Sequence, residues 1–181
     1  MRIDHAKKED IEGIIKVAEK SLFNPESPNQ NGSIGYVLSK KEYLYRINES
    51  HYFYVSKGED GEINGFLMCY SNKLLRRMQD KGIFHHDGVL SYLNQQDRPY
   101  VYGETIVVDP NVTKNNIGSS MMLKLFKDMK SAEIRDMHVL LRHNPSRNTP
   151  SIEFCEKLGF KFTGDEIQNQ DKKFTWGIYR L

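Results

Sequence analysis

The sequence predicts an α+β fold: a twisted, mainly antiparallel sheet flanked by helices, with one βαβ crossover at its centre. Residues 51–70 hold two strand-like segments joined by a short polar turn, and residues 100–142 run strand, helix, strand. Residues 160–179 again have the composition of strands. A chain of 181 residues is long enough for one hydrophobic core and short for two, so we predict a single domain over residues 1–181.

The composition is that of a folded protein, with 38% hydrophobic and 28% charged residues distributed without blocks. A formal net charge of +2 is too small to favour nucleic acid or a membrane surface as a partner. Cys69 and Cys155 lack the spacing of a zinc site or a disulfide framework, and the charged N-terminus lacks the apolar stretch of a signal peptide. We therefore expect a cytoplasmic protein without a nucleic-acid or membrane partner.

The N-terminal part of the chain predicts a strand and two helices. Residues 2–6 have the composition of a short strand, and apolar residues recur at helical spacing over residues 11–22. Residues 24–33, with two prolines and several polar residues, form a loop. Helical patterning resumes over residues 34–47, where residues 39–42 have the spacing of a capping box.

A hairpin follows the second helix. Residues 51–56 and 63–70 are rich in aromatic and β-branched residues on either side of a turn, which predicts two antiparallel strands. The pattern weakens over residues 71–99. Within that insert, residues 73–80 are consistent with a short helix, and residues 82–88 suggest irregular chain.

The second half begins with a strand at residues 100–108 and a strand at residues 137–142, separated by an amphipathic helix. The apolar face of that helix consists of Ile117, Met121, Met122, Leu125, Phe126 and Met129. A further helix is predicted with Thr149 as its N-cap, Pro150 at its first position and Gly159 just after its end. The chain closes with a strand, a polar loop and a strand, at residues 160–162, 164–173 and 174–179.

The most informative segment is residues 107–120, where a strand turns through polar residues into the amphipathic helix. Free backbone N–H groups and the positive end of the helix dipole meet there, which favours a phosphate ligand. Asn116 adopts the left-handed conformation more readily than most residues, and Gly118 allows close approach of the backbone to a ligand. Because ordinary helix capping leaves the same pattern, this segment alone does not decide between the two interpretations.

A second motif, over residues 148–160, resembles that of a known protein family. Residues 148–160 resemble the downstream motif of the GNAT superfamily of acyl-CoA-dependent N-acetyltransferases, through Asn148, Ser151, Phe154, Lys157, Gly159 and Phe160. That family usually has a tyrosine where this sequence has Cys155. The upstream segment is similar to the family's pyrophosphate loop, whose characteristic places are filled here by Thr113, Asn116 and Gly118.

The resemblance implies a GNAT-like fold and an enzyme that transfers acetyl from acetyl-CoA directly to a primary amine in a ternary complex. It implies that the backbone of Val107 and Val108 pairs with the pantetheine arm, and that Asn148 contacts this arm or shapes the loop near the thioester. The amides from Asn116 to Ser120 would hold the pyrophosphate, with Lys114 adding charge. The cofactor-binding residues expected by this resemblance are Val107, Val108, Thr113, Lys114, Asn115, Asn116, Ile117, Gly118, Ser119, Ser120, Asn148 and Ser151.

Two catalytic residues are expected from the same resemblance. Glu104 lies on the strand before the cofactor loop, where several family members carry a catalytic glutamate, and is the candidate general base; a solvent-facing glutamate is the alternative. Cys155 occupies the place of the family's proton donor, although a buried inert cysteine is the ordinary interpretation. Tyr102 and Tyr179 are further candidates for the donor.

We expect no metal site. His85, His86 and Asp87 are adjacent but lack a third spaced ligand, so they are interpreted as solvated surface. His143 follows a predicted strand near the cofactor loop, and either contacts substrate or is a hydrogen-bonded loop histidine.

The acceptor amine is left open by the sequence. A polyamine-like or drug-like amine, an amino acid, and a protein N-terminus or lysine are all compatible with it, and specificity is expected from residues 23–32, the second helix, residues 71–99 and the final hairpin. Alternative functions are a catalytically degenerate acyl-CoA sensor and a site for another phosphate ligand. A homodimer is an expectation by analogy with the resembled family.

Overall fold

The protein forms one seven-stranded sheet with helices on both faces. The computed structural model describes residues 1–24, 26, 33–84, 87–112, 116–168 and 174–181, excluding the side chain of residue 87. The strands are β1 (Arg2–His5), β2 (Tyr52–Lys57), β3 (Ile63–Ser71), β4 (Tyr100–Val108), β5 (Asp136–Asn144), β6 (Lys161–Gln168) and β7 (Thr175–Arg180). The helices are α1 (Ile11–Lys20), α2 (Lys40–Glu49), α3 (Asn72–Asp80), α4 (Asp87–Leu93), α5 (Ile117–Ser131) and α6 (Thr149–Lys157).

The sheet order is β1-β2-β3-β4-β5-β7-β6. Strands β4 and β5 pair in parallel with α5 between them in sequence, and the other described pairs are antiparallel. The predicted mainly antiparallel sheet with a central βαβ crossover is thus confirmed. None of the described helices is long and apolar enough to cross a membrane.

Local sequence signals explain several element boundaries. Helix α2 begins with the predicted capping box, in which the Ser39 amide donates to Glu42 Oε2 at 2.8 Å and the Glu42 amide donates to Ser39 Oγ at 3.3 Å. Asn116, just before α5, has the predicted left-handed backbone, with φ of 52°. Gly159 follows α6 with φ of 97°, as its predicted position after a helix requires.

Four predictions about boundaries were wrong. The cap of α6 is Asn148, whose Oδ1 accepts from the Ser151 amide at 3.4 Å, and Thr149 is already helical. Strand β6 extends to Gln168. It was predicted to be shorter because an edge strand exposed along nearly its whole length shows no apolar alternation. Helix α4 begins within residues 82–88, which were predicted as irregular chain, and continues to Leu93; its seven residues are too few to show a helical period. Helical structure in the predicted 34–47 segment starts only at Lys40, after its cap.

Two hydrophobic clusters cover the two faces of the sheet. One packs helices α1 to α4 on the sheet and the other packs α5 and α6 on the opposite face. Along β5 the side chains alternate between these faces, with Val139 and Leu141 in the second cluster and Leu140 packed against the first. A site that opens between β4 and β5 therefore reaches both layers.

A buried histidine in the core gives a prediction about stability and pH. His138 lies between the rings of Tyr92 and Tyr100, and its two ring nitrogens lack a hydrogen-bond partner among the described residues. Burial, and secondarily the charge of Arg180, lowers the pKa of His138 from 6.5 to about 4. The folded protein thus binds fewer protons than the unfolded chain between these values, so stability falls as the pH drops from 6.5 through 4.

The variant His138→Phe removes this titration while filling a similar volume. We expect the free energy of unfolding of His138→Phe to fall less between pH 7 and pH 4 than that of the wild type, measured by urea unfolding at each pH. Carboxylates contribute equally to both proteins, so parallel curves would contradict the assignment of a neutral buried histidine.

Candidate active site

A cavity of about 380 Å³ lies where β4 and β5 separate. The two strands pair from Tyr100 and Asp136 to Gly103 and Val139 and then diverge, although β4 continues to Val108 and β5 to Asn144. The edge of β4 that faces β5 therefore has no strand partner beyond Gly103 within the described sheet. Its backbone groups are available to a ligand that runs along the strand.

Gly103 marks the point of separation. A Cβ atom at this position would lie 2.7 Å from Met137 Cε and 2.9 Å from Val139 Cγ1, so a side chain here would displace these two neighbours on β5. The next residue, Glu104, is a β-bulge, because Cys69 pairs with Gly103 and Met68 pairs with Thr105. Bulges change the direction of neighbouring side chains, and Glu104 lines the cavity at this bulge.

Glu104 belongs to a polar network in which Arg46 and Tyr70 are buried and Tyr36 is 41% exposed. The Tyr36 hydroxyl donates to its Oε1 at 2.7 Å, and the Tyr70 hydroxyl donates to its Oε2. Arg46 Nε lies 3.7 Å from the same Oε2 and donates to the Tyr70 oxygen at 2.8 Å. The side chains of Arg46 and Glu104 are 3% and 4% exposed, so the alternative interpretation of Glu104 as a solvent-facing residue is wrong.

This network leaves Glu104 able to accept further hydrogen bonds. Burial, together with the charge of Glu104, raises the pKa of Tyr70 and of Tyr36 well above the usual value, so both hydroxyls remain donors. A carboxylate offers about four lone-pair sites. Two tyrosines therefore fix its orientation, and a ligand in the cavity can still donate to it.

The candidate proton donors are weak acids. Cys155 lines the cavity from α6, and burial raises the pKa of its thiol to about 12. Tyr102 lines the cavity from β4, and burial, with the charge of Glu104, raises the pKa of its hydroxyl well above 10. Tyr179 lies outside the described lining, with its hydroxyl oxygen 3.2 Å from His143 Nε2. Groups with such raised pKa values retain their own protons near neutral pH.

Among the described residues, the first amides of α5 have no hydrogen-bond partner. Asn116 supplies no side-chain cap, and in an α-helix the first amides, here from Ile117 onward, have no partner within the helix. Ser119 and Ser120 are half-buried in this first turn. The predicted cofactor residues Thr113, Lys114 and Asn115 lie outside the described residues.

Gly118 lies in close contact with α6 and β4. A Cβ atom there would lie 3.3 Å from Phe154 Cζ and 3.7 Å from Ile106 Cδ1, so this position faces α6 and β4. The glycine permits close packing of α5 against α6 near the cavity, which Phe154 and Ile106 both line.

The remaining predicted cofactor residues are distributed around the opening. Val107 and Val108 form the end of β4, with their side chains packed on opposite faces of the sheet. Ser151 lines the cavity from the first turn of α6. Asn148 also lines it, and its Nδ2 donates to the Ser33 carbonyl oxygen at 3.2 Å, which ties the segment before α2 to the site.

No histidine among the described residues lines this cavity. His143 Nδ1 lies 2.6 Å from Glu166 Oε1, and its ring packs on Phe162, which agrees with the hydrogen-bonded alternative. His85 and His86 lie outside the described residues, as does the side chain of Asp87. Within the part of the chain that the structure describes, no three potential ligands form a metal-binding group.

The sequence profile of the acetyltransferase (GNAT) family matches residues 18–160. The chain belongs to this family. The predicted family and N-acetyltransferase class are thereby confirmed. No functionally curated protein is similar enough in sequence to count as a match.

Solved structures of GNAT proteins have the same fold. The PaiA N-acetyltransferase of Thermoplasma acidophilum, in complex with coenzyme A, has a TM-score of 0.64 at 18% identity, covering 99% of this chain and 96% of that chain. Arabidopsis thaliana Naa50, in complex with a bisubstrate analogue, has a TM-score of 0.66 at 16% identity, with coverages of 99% and 97%. A polyamine N-acetyltransferase of Drosophila melanogaster has a TM-score of 0.69 at 12% identity, with coverages of 99% and 98%.

Sequence reasoning missed several residues of this GNAT site. Arg46, Tyr70 and Tyr36 surround Glu104, and Arg142 lines the cavity from β5. For Arg46 a signal existed, because an arginine three residues after the buried Tyr43 stands on the apolar face of α2. The partners of that arginine come from other elements and carry no local signal.

Proposed function

We propose that this GNAT protein transfers an acetyl group from acetyl-CoA directly to a primary amine. The observation that supports this most strongly is the cavity between β4 and β5, which reaches both faces of the sheet. Glu104 lines it on the α2 side and Cys155 lines it on the α6 side. Two substrates entering from opposite faces can therefore meet inside it.

The residues present fit a coenzyme A molecule. The first amides of α5 suit the diphosphate, since they have no partner within the helix and stand at the positive end of the helix dipole. The free edge of β4 at Val107 and Val108 suits the amides of the pantetheine arm. Ser151 and Cys155 then line the end where the acyl thioester would supply the activated carbonyl group.

Glu104 is the proposed general base. It accepts a proton from the acceptor amine, directly or through a water molecule, as the amine nitrogen bonds to the acyl carbon and the carbon–sulfur bond breaks. Tyr36 and Tyr70 hold its carboxylate in one orientation by hydrogen bonds. Cys155 and Tyr102 are proposed to donate hydrogen bonds toward the leaving sulfur and to keep their own protons, because burial raises the pKa of both. Solvent then protonates the released thiolate.

Two measurements test the proposed function. Calorimetric titration with acetyl-CoA is expected to show binding, and a thiol-release assay over a panel of amines is expected to show turnover with at least one. Binding without turnover on polyamines, amino acids, peptides and drug-like amines would instead support an acyl-CoA sensor. If coenzyme A fails to raise the melting temperature and another phosphate ligand does raise it, the α5 amides bind that other ligand instead.

A substitution at Gly118 tests the placement of the cofactor. Gly118→Val adds a branched side chain against the Phe154 ring, whose Cζ lies 3.3 Å from the position of the added Cβ, and so forces α5 and α6 apart. We expect acetyl-CoA to bind about tenfold more weakly, a loss of about 1.4 kcal/mol by calorimetry. Leu123→Val, at a side chain 64% exposed on the same helix, is the matched control and is expected to bind normally. Unchanged affinity in Gly118→Val would contradict this placement.

A further inference from the structure

A second charged group, Arg142, lines the same cavity as Glu104. It leaves β5 on the face opposite Val139 and Leu141, toward the segment before α2. The residue is 5% exposed. This places a positive charge on the side of the cavity that lies away from α5 and α6.

The described partners of Arg142 are all neutral. Its Nε donates to the Ser146 carbonyl oxygen at 2.9 Å, its Nη2 donates to Ser33 Oγ at 3.0 Å, and its Cζ lies 4.0 Å from the centre of the Phe23 ring. No salt bridge links Arg142 to a carboxylate within the described ranges. Since a guanidinium has five N–H donors, several remain available.

An unpaired buried charge is costly, and proteins normally pair it. Burial alone lowers the pKa of Arg142, without a nearby charge acting on it, whereas Arg46 is balanced by Glu104. Glu104 is thus already paired with Arg46, and Arg142 is the charged group of this cavity that is left without a counter-ion among the described residues. An anionic group of a ligand would supply the missing counter-ion of Arg142.

Many of the other lining side chains are apolar. Val89 of α4, Ile167 of β6 and Trp176 of β7 line the same cavity as the two charged groups, so the cavity accepts a ligand that also has a hydrocarbon portion. This arrangement disfavours a polyamine, whose second ammonium group would approach Arg142. It favours a molecule with charges of both signs.

We propose that the acceptor is a small amine that also bears a carboxylate, with the carboxylate bound by Arg142 and the amine presented to Glu104. This proposal rests on the proposed N-acetyltransferase function and specifies its substrate class. Guanidinium groups match carboxylates through two parallel N–H donors, which makes arginine selective for this group.

Matched acceptors test the proposal. Each α-, γ- and ε-amino acid with an apolar or unbranched chain is paired with the amine that lacks only the carboxylate, and kcat/KM is measured with saturating acetyl-CoA. We expect at least one amino acid to exceed its paired amine by tenfold or more. Arg142→Gln is expected to abolish that preference, and Arg142→Lys, which keeps the charge, to retain part of it. Arg180→Gln, outside the cavity lining and paired with Asp136, is the control and is expected to keep the preference.

Each outcome decides the proposal. Equal or better turnover of the amines without carboxylates would overturn the proposal and leave the proposed N-acetyltransferase function intact. An Arg142→Gln variant that changes only the KM for acetyl-CoA would overturn the proposal in the same way. If no acceptor in any panel turns over, the proposed function fails, and calorimetry of the same matched pairs on the coenzyme A complex tests the binding claim separately. Binding that requires the carboxylate and is lost in Arg142→Gln would support the proposal. If binding does not depend on the carboxylate, the proposal is overturned.

Discussion

Glu104→Gln is expected to lower kcat by about 100- to 1000-fold while leaving the affinity for acetyl-CoA nearly unchanged. The substitution keeps the shape of the side chain, and its single amide oxygen can still accept from one of Tyr36 and Tyr70 while its NH2 group donates to the other, but the amide cannot accept a proton from the amine. The measurement is steady-state kinetics with a fixed acceptor, together with calorimetry of acetyl-CoA binding.

The control separates loss of the base from loss of folding. Glu62→Gln makes the same chemical change at a side chain that is 67% exposed, and is expected to leave kcat unchanged. The melting temperature of Glu104→Gln should be recorded with its kinetics, because the substitution also leaves Arg46 without its carboxylate. A folded Glu104→Gln protein with wild-type kcat would remove Glu104 from the mechanism.

Arg46→Met is expected to lower the free energy of unfolding by about 3–5 kcal/mol. Methionine fills much of the volume of the arginine side chain, but the Glu104 carboxylate then remains buried, at 4% exposure, without a positive partner. Urea unfolding followed by circular dichroism measures the loss, provided that the slope with denaturant stays that of the wild type.

The double variant Arg46→Met/Glu104→Gln gives the sharper test. Because it removes both charges, it should regain much of the stability lost in Arg46→Met. Arg77→Met is the matched control: Arg77 faces Glu49 with 57% of its side chain exposed, so its loss should cost less than about 1 kcal/mol. If the double variant were as unstable as Arg46→Met, the cost would come from lost packing instead of an unpaired carboxylate.

The parts of the fold that were predictable have local signals. The capping box of α2, the left-handed Asn116 and the hairpin of β2 and β3 depend on residues adjacent in sequence, and each was predicted correctly. Strand β6 was cut short because an exposed edge strand lacks an apolar face. Local patterns thus gave the crossover and its turn but not every boundary.

The site was only partly predictable for a physical reason. Glu104 was expected from its place before the cofactor loop, yet its contacts with Tyr36, Arg46 and Tyr70 join residues from the segment before α2, from α2 and from β3. Such contacts depend on tertiary packing and on the bulge at Glu104, which no short sequence pattern announces. Arg142 was missed likewise, because only the fold shows that it is buried without a carboxylate partner among the described residues.

The central claim is that the opening between β4 and β5 holds the thioester of acetyl-CoA beside Glu104. A crystal structure of the protein with coenzyme A tests it most directly. We expect the diphosphate within hydrogen-bond distance of the amides of Ile117 to Ser119, the pantetheine arm along Val107 and Val108, and the sulfur between Glu104 and Cys155. A coenzyme bound elsewhere, with this opening filled by side chains, would contradict the account.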